Sequence, residues 1–418
     1  MMVLLVNTSE RTGGAAVAAN RLLKALNKNG VEAKMLVADK STDNPDVFEV
    51  PCKGRKKYNF LCERLLIFIR NRFSKKRLFE IDPAYTGTDI TKLACFKDAD
   101  VIHLHWINQG MLSVRNLEKV LRSGKRILWT MHDQWCFTGI CHSTGDCTKF
   151  QTHCADCPVL QTSKKKDLAW RTFEKKKKLF AARNITFVTC SQWLKRTAST
   201  GALFEYQHVI DIPNPIDTEV FTPLDKTACR QALNLPLDKR LILVGAVNVT
   251  DYRKGIAYMV KSINRLLEEA EFSQNTEVVC MGNGAAALQS MLSCKVHPLH
   301  YIKEEAVLSQ VYSAVDIFFT ASLFENLPNM IMEAMACGTP CLGFNVGGIP
   351  EMIDHKKNGY VAEYKSTEDL VCGLKTLLEL PEDAYRRYSE DCREKVLTCY
   401  SESCVASRYR KAYFGKSI

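Results

Sequence analysis

The sequence has no run of about 18 uncharged apolar residues, so no membrane-spanning helix is expected to organise it. It also lacks the full Gly-x-Gly-x-x-Gly fingerprint of dinucleotide-binding enzymes, which argues against a dehydrogenase. No recognised nucleic-acid module or regular aromatic platform accompanies its positive charge, so nucleic acid is not expected as a partner. The opening residues Met1-Met2-Val3-Leu4-Leu5-Val6-Asn7 carry neither a basic leader nor a small-residue cleavage site. They are expected to form a first buried strand in a cytoplasmic protein, at most peripheral at the inner face of a membrane.

What is present points to an α/β protein. At 418 residues the chain is too long for one ordinary core, and two similar halves are expected. The net charge of +11 is unevenly placed: residues 1–205 hold 35 Lys and Arg against 19 Asp and Glu, residues 206–418 hold 22 against 27. The positive field of the front half suits an anionic surface or substrate. Eighteen cysteines would suggest disulfides in a small secreted chain. Here most sit in apolar elements (Cys190, Cys280, Cys337, Cys372), where cysteine behaves as a small hydrophobe.

The most informative stretch runs from Val315 to Pro340. Val315-Asp316-Ile317-Phe318-Phe319 reads as a buried parallel strand, Pro328 stands in the first turn of a helix, and Gly338 stands where that helix stops. Glu325 falls in the loop and Glu333 on the helix, flanking first-turn amides that make an anion seat. This spacing, with Gly347-Gly348-Ile349-Pro350-Glu351 after it, closely resembles the retaining glycosyltransferases of family 4. The resemblance implies a GT-B fold, two Rossmann-like parallel-sheet domains facing a central cleft. It also implies that Glu325 holds hydroxyls of a donor sugar and Glu333 the nucleotide ribose, with Asn326, Leu327 and Asn329 beside the diphosphate.

Other segments extend the resemblance. Gly13 and Gly14, after the first strand, match the family's glycine loop; two glycines in a turn are also common for steric reasons alone. His132, in Thr-Met-His-Asp at a strand end, matches a histidine near the donor sugar and acceptor, and His103, His105 and Trp106 match a His-x-His-Trp segment of one subfamily. Lys254 matches a phosphate-binding cation. Ala246 stands where many relatives have arginine, and Arg253 is the expected substitute. Leu299-His300-Tyr301-Ile302 resembles the segment that reads the base, so Tyr301 and Ile302 join the donor site. The segment from Val209 to Asp217 resembles the family's hinge, with Pro215 in place of the usual glycine. The expected domains are 1–208 on the acceptor side, 209–395 for the nucleotide sugar, and a helix over 396–418 returning to the first.

Two features stand apart. Cys141, Cys147, Cys154 and Cys157, within a loop over 136–157, have a spacing that favours a structural zinc over disulfides in a reducing compartment; a reduced, unligated loop is the alternative. Residues 53–77 are strongly basic and interleaved with Leu65, Leu66, Ile67, Phe68 and Ile69, and a second basic block brackets Trp170 and Phe173. Such helices suit an anionic membrane surface, with a solvated surface as the alternative.

The resulting expectation is transfer of a sugar from a nucleotide diphosphate sugar to an acceptor hydroxyl with retention. The acceptor is expected to be a glycan, lipid-linked in surface polysaccharide assembly. Catalysis rests on Glu325, His132, Arg253 and Lys254 and requires no bound metal. A sugar epimerase of the same fold and a non-catalytic protein binding an anionic partner are the alternatives.

Overall fold

The computed structural model describes residues 1–415 except 52, 76, 162–163, 182–183 and 249–250. The chain divides into two compact units, Met1–Pro215 with the segment from Val405, and Ile216–Cys404. The first contains β1 (Val3–Ser9), β2 (Ala33–Asp39), β3 (Val47–Glu49), β4 (Val101–Leu104), β5 (Arg126–Met131), β6 (Ile185–Thr189) and β7 (His208–Asp211). Their order is β3-β2-β1-β4-β5-β6-β7 and every pairing is parallel.

A parallel sheet is covered on both faces, so its strands read as continuous apolar runs. Val3, Leu4, Leu5 and Val6 of β1 are all fully buried. Alternation sends Val3 and Leu5 to one face, against Leu22, Leu23 and Leu26 of the Gly14–Lys28 helix and Val405, Tyr409 and Tyr413 of the C-terminal helix. Leu4 and Val6 go to the other, with Ile102, Trp129 and Phe187.

The second unit contains β8 (Arg240–Asn248), β9 (Thr276–Asn283), β10 (Val296–Leu299), β11 (Ile317–Thr320), β12 (Cys341–Phe344) and β13 (Gly359–Ala362), ordered β10-β9-β8-β11-β12-β13. All of these pairings are parallel too. The two expected parallel-sheet domains are therefore present. In each sheet the strand order reverses once, between β1 and β4 and between β8 and β11. Open α/β sheets bind ligands outside the carboxyl ends of the strands at such a reversal.

Several local expectations need adjusting. The first unit runs past residue 208 because β7 pairs with β6. The return segment begins at Val405, since the Glu382–Cys399 helix is fixed to the second unit: Arg393 donates to the carbonyls of Thr218 and Ala336 at 2.7 and 2.8 Å. Cys372 is exposed on its helix, unlike the buried Cys190, Cys280 and Cys337. The second basic block is not simply a surface. In the Leu168–Phe180 helix, Phe173 is core and Lys176 is fully buried, donating to the Trp135 and Thr138 carbonyls at 2.6 and 3.1 Å. Among the described residues no helix is long and apolar enough to cross a membrane.

Candidate functional site

In the second unit, three loops leave the carboxyl ends of the neighbouring strands β8, β11 and β12 and lock together. The amide of Leu323 donates to the Arg253 carbonyl at 2.8 Å. Gly255, at φ 67°, lies so close to the Ala321 carbonyl that a Cβ would overlap it, and Gly347, at φ 60°, stands likewise against the carbonyl of Glu325. Both positions need glycine twice over, for the left-handed backbone and for the approach. The result fixes Lys254 beside Glu325, with Nζ 2.5 Å from Oε1.

The Asn329–Ala336 helix follows, with Pro328 at its N-cap and Gly338, φ 74°, just beyond its end. Pro328, at the N-cap position, has no side chain that could cap the helix. Its first-turn amides thus keep the polarity that attracts an anion. Leu327 is buried, while Asn326 and Asn329 are half-buried. Glu333 is only 6 % exposed, and the fully buried Tyr312 donates its hydroxyl to Oε2 at 2.7 Å. A buried carboxylate aimed by a tyrosine is not a solvating surface charge. Arg253 is turned onto Asp251, with Nη2 2.6 Å from Oδ2, and so is less committed to the site than Lys254. Tyr301 is half-exposed just past β10, with Ile302 beside it.

In the first unit, Gly13 opens the Gly14–Lys28 helix at φ 93°, exposed, with nothing within 4 Å of a would-be Cβ and no acidic residue in the first turn. His105 and His132 follow the neighbouring strands β4 and β5 and meet ring to ring, His105 Nδ1 lying 3.0 Å from His132 Nε2. Asp133 forms a hub: Oδ2 accepts from Trp106 Nε1 at 2.9 Å and lies 2.7 Å from His142 Nδ1, while Oδ1 accepts from the Trp135 amide at 2.8 Å. Burial alone would raise the Asp133 carboxyl, but its His142 neighbour and these donors bring it below its ordinary value. His142 is pulled down by burial yet raised overall by Asp133. Burial holds His132 down at about 4, neutral at physiological pH.

Two family models match this chain. The one described as Glycosyltransferase Family 4 covers residues 12–220, half of the sequence, and the one described as Glycosyl transferases group 1 covers 238–380. The chain belongs to glycosyltransferase family 4. Among curated relatives, the N-acetyl-alpha-D-glucosaminyl L-malate synthase of Bacillus anthracis is 23 % identical over 232 residues, 52 % of this chain and 58 % of that protein. The chain thus spans little more than half the length of this relative. Sucrose-phosphate synthase from Thermosynechococcus elongatus matches 99 % of this chain and 100 % of its own at TM-score 0.69 and 17 % identity. Anabaena HepE, solved in complex with UDP, matches all of both chains at TM-score 0.64 and 13 % identity. These likenesses establish the GT-B fold.

Within this family-4 chain, Glu325, Lys254, Leu327, Asn329 and Glu333 are assembled in the second unit, with Tyr301 and Ile302 following β10. Gly13, Gly14 and His132 belong to the first. The sequence reading passed over Asp133 and His142, although the His-Asp pair after a strand was a usable sign. It also passed over Lys176, whose burial nothing in a run of four lysines signals. Glu10, fully buried with its carboxylate held by the amides of Ser41 and Thr42 at 2.6 and 2.9 Å, fixes the loop after β1.

Cys141, Cys147, Cys154 and Cys157 line one small cavity of about 20 Å³. The Gly139 amide donates to Cys154 Sγ at 3.2 Å, and burial pushes Cys141 and Cys154 up to about 12. Among the described residues no group of three or more His, Cys, Asp or Glu is arranged to hold a metal ion.

Proposed function

We propose that this chain is a retaining glycosyltransferase that moves a sugar from a nucleotide diphosphate sugar to an acceptor hydroxyl. The observation that carries the reading is the pairing of Glu325 with Lys254 at the start of a helix whose N-cap is a proline, and the tyrosine-held Glu333 on the helix itself. A diphosphate at the helix tip would place a sugar toward Glu325 and a ribose toward Glu333. As the glycosidic bond breaks, negative charge gathers on the leaving diphosphate. Lys254 and the first-turn amides are donors already in place to stabilise it, which is where electrostatic catalysis gains most. Arg253 joins only by leaving Asp251. No side chain is assigned as a covalent nucleophile. The UDP bound to HepE supports a nucleotide donor.

The acceptor side of the proposal is a lipid-linked glycan met at an anionic membrane surface. Its support is the Lys53–Arg70 helix, apolar on two opposite faces. Ile67 lies on the buried face, where the Glu63 carboxylate accepts from the Thr86 amide at 3.0 Å. On the other, Tyr58, Leu61, Leu65 and Ile69 are each 50 % exposed or more. Residues 53–79 carry ten Lys and Arg and one acid, Glu63. An exposed apolar stripe flanked by cations fits an interfacial helix, each cation adding about 1 kcal/mol near anionic lipid.

A structural zinc in the cysteine loop belongs to the same proposal. Four soft donors line one cavity without yet being arranged as a ligand set, so binding tetrahedral Zn²⁺ would require the loop to close its thiols around the ion.

A panel of nucleotide sugars tests the reading through thermal shift and product analysis. A donor at 100 times its Kd adds about 2.7 kcal/mol of stability. A new glycoside supports transfer, whereas an epimerised sugar formed from donor alone refutes it. Sedimentation with vesicles containing phosphatidylserine tests the membrane surface. Binding that is indifferent to lipid charge, or unchanged in Leu61→Ser/Leu65→Ser, counts against it.

A further inference from the structure

The Lys53–Arg70 helix is tied to the rest of the first unit through a pair of acids. Glu63, on the helix, and Asp82, in the segment after it, are both 0 % exposed, and their side chains are hydrogen-bonded neighbours. Glu63 accepts from the Tyr85 and Thr86 amides at 3.1 and 3.0 Å. Asp82 accepts from the Ala84 and Gln109 amides at 2.9 and 2.7 Å and from Arg64 Nη2 at 3.1 Å. The same helix rests on Gly110, in the loop after β4, where an added Cβ would lie 2.9 Å from the Asn59 backbone. Docked, the helix has no slack with which to carry Glu63 toward water.

These two carboxyl groups have one cation within hydrogen-bond reach. Arg64, only 8 % exposed and lying over the rings of Phe60 and Phe79, pairs with Asp82. Among the described residues no cation pairs with Glu63. The next charged groups are Lys176 and His142, which feel the Asp82 charge, and Lys175, whose ammonium lies over the Tyr85 ring at 4.1 Å. Neighbouring buried carboxylates do not both ionise cheaply, and the one without a cation keeps its proton. Two carboxylates would also have only acceptors to offer each other, whereas a carboxylic acid brings the O–H that joins the pair. Burial first, and then the Asp82 charge, push the Glu63 carboxyl up to about 7.

We propose that Glu63 is held as a neutral carboxylic acid whose proton locks the Lys53–Arg70 helix onto the first unit, and that losing the proton releases the helix, so that pH sets how the apolar and cationic surface meets a membrane. Once ionised, Glu63 holds a second negative charge in the interior beside Asp82, and undocking the helix is the way that charge reaches water. The sign follows from the raised value: the lock is complete in acid and weakens as pH rises through about 7. With the carboxyl at about 7 when docked and at its ordinary 4.5 when released, going from pH 6 to pH 8 favours release about tenfold. The membrane as partner rests on the reading given above for this helix; the proton lock does not.

The test is amide hydrogen exchange of the full-length protein at pH 6 and pH 8, corrected for the intrinsic rate of exchange. Residues 53–70 are expected to open about tenfold more at pH 8, and the Gly14–Lys28 helix equally at both. Glu63→Gln, neutral at every pH, is expected to keep the helix protected and to abolish the difference. Equal opening of the wild-type helix at the two values, or a difference that survives in Glu63→Gln, overturns the proposal. Should that variant fail to fold, infrared spectra of the wild-type protein labelled with ¹³C-glutamate decide instead: a protonated glutamate carbonyl band is expected at pH 6 and should fade by pH 8, and its absence at pH 6 refutes the lock. If sedimentation with phosphatidylserine vesicles shows no binding, the membrane reading fails while exchange and spectra still decide the proton.

Discussion

Replacing Gly347 with alanine probes the site without touching a charged group. The backbone at Gly347 is left-handed, φ 60°, and an added Cβ would fall inside the carbonyl oxygen of Glu325. The left-handed conformation alone costs an L-residue about 1–2 kcal/mol. The overlap must be relieved as well, and its partner is backbone, so the Glu325 loop has to move. A displacement of about 1 Å at a reacting centre costs on the order of 100-fold in rate. A control separates the two terms: Gly30 has φ 74° but nothing within 4 Å of its Cβ position. Gly30→Ala should therefore lose about 1–2 kcal/mol in thermal or urea unfolding and keep its kcat/KM. Gly347→Ala should lose more stability and at least about 100-fold in kcat/KM with the best donor of the panel. Equal activity in the two variants would refute the argument that Gly347 holds Glu325 in place.

Lys254→Met should lower kcat/KM about 100-fold by removing a donor from the developing charge, with Arg253→Met costing less than tenfold because that guanidinium rests on Asp251; equal losses would contradict the assignment. Burial holds His103 down at about 3, below its unfolded value of about 6.5, so its contribution to stability is complete above pH 6.5 and lost as pH falls toward 3. At pH 5 the loss is about 2 kcal/mol, and His103→Gln should flatten the pH dependence of urea unfolding by that amount. Metal analysis of the purified protein should find one zinc per chain, lost in Cys154→Ser/Cys157→Ser together with a lowered Tm. A metal-free wild-type protein with the same Tm refutes the zinc.

The division of the chain was legible because parallel strands buried on both faces leave continuous apolar runs, as in Val3 to Val6 and Ile317 to Phe319. The Glu325 to Gly338 segment was legible because proline and glycine punctuate helix ends for local steric reasons. Burial decided by distant packing was not. Glu333 sits on a helix of unremarkable pattern, and the hydroxyl that meets its buried carboxylate comes from Tyr312, 21 residues earlier. Lys176 is one of four consecutive lysines, yet the Trp135 and Thr138 carbonyls draw it inward. His103 and His105 looked equivalent in sequence. They differ because Tyr413, 310 residues away from His103, satisfies one and leaves the other to His132.

The proposed function requires Glu325, Lys254 and Glu333 to grip a single nucleotide diphosphate sugar across the start of the Asn329–Ala336 helix. A crystal structure of the protein with such a donor tests it directly. The diphosphate should lie within hydrogen-bond reach of the first-turn amides and Lys254, with the ribose on Glu333 and the sugar on Glu325. A donor bound with its diphosphate away from that helix end would contradict the claim.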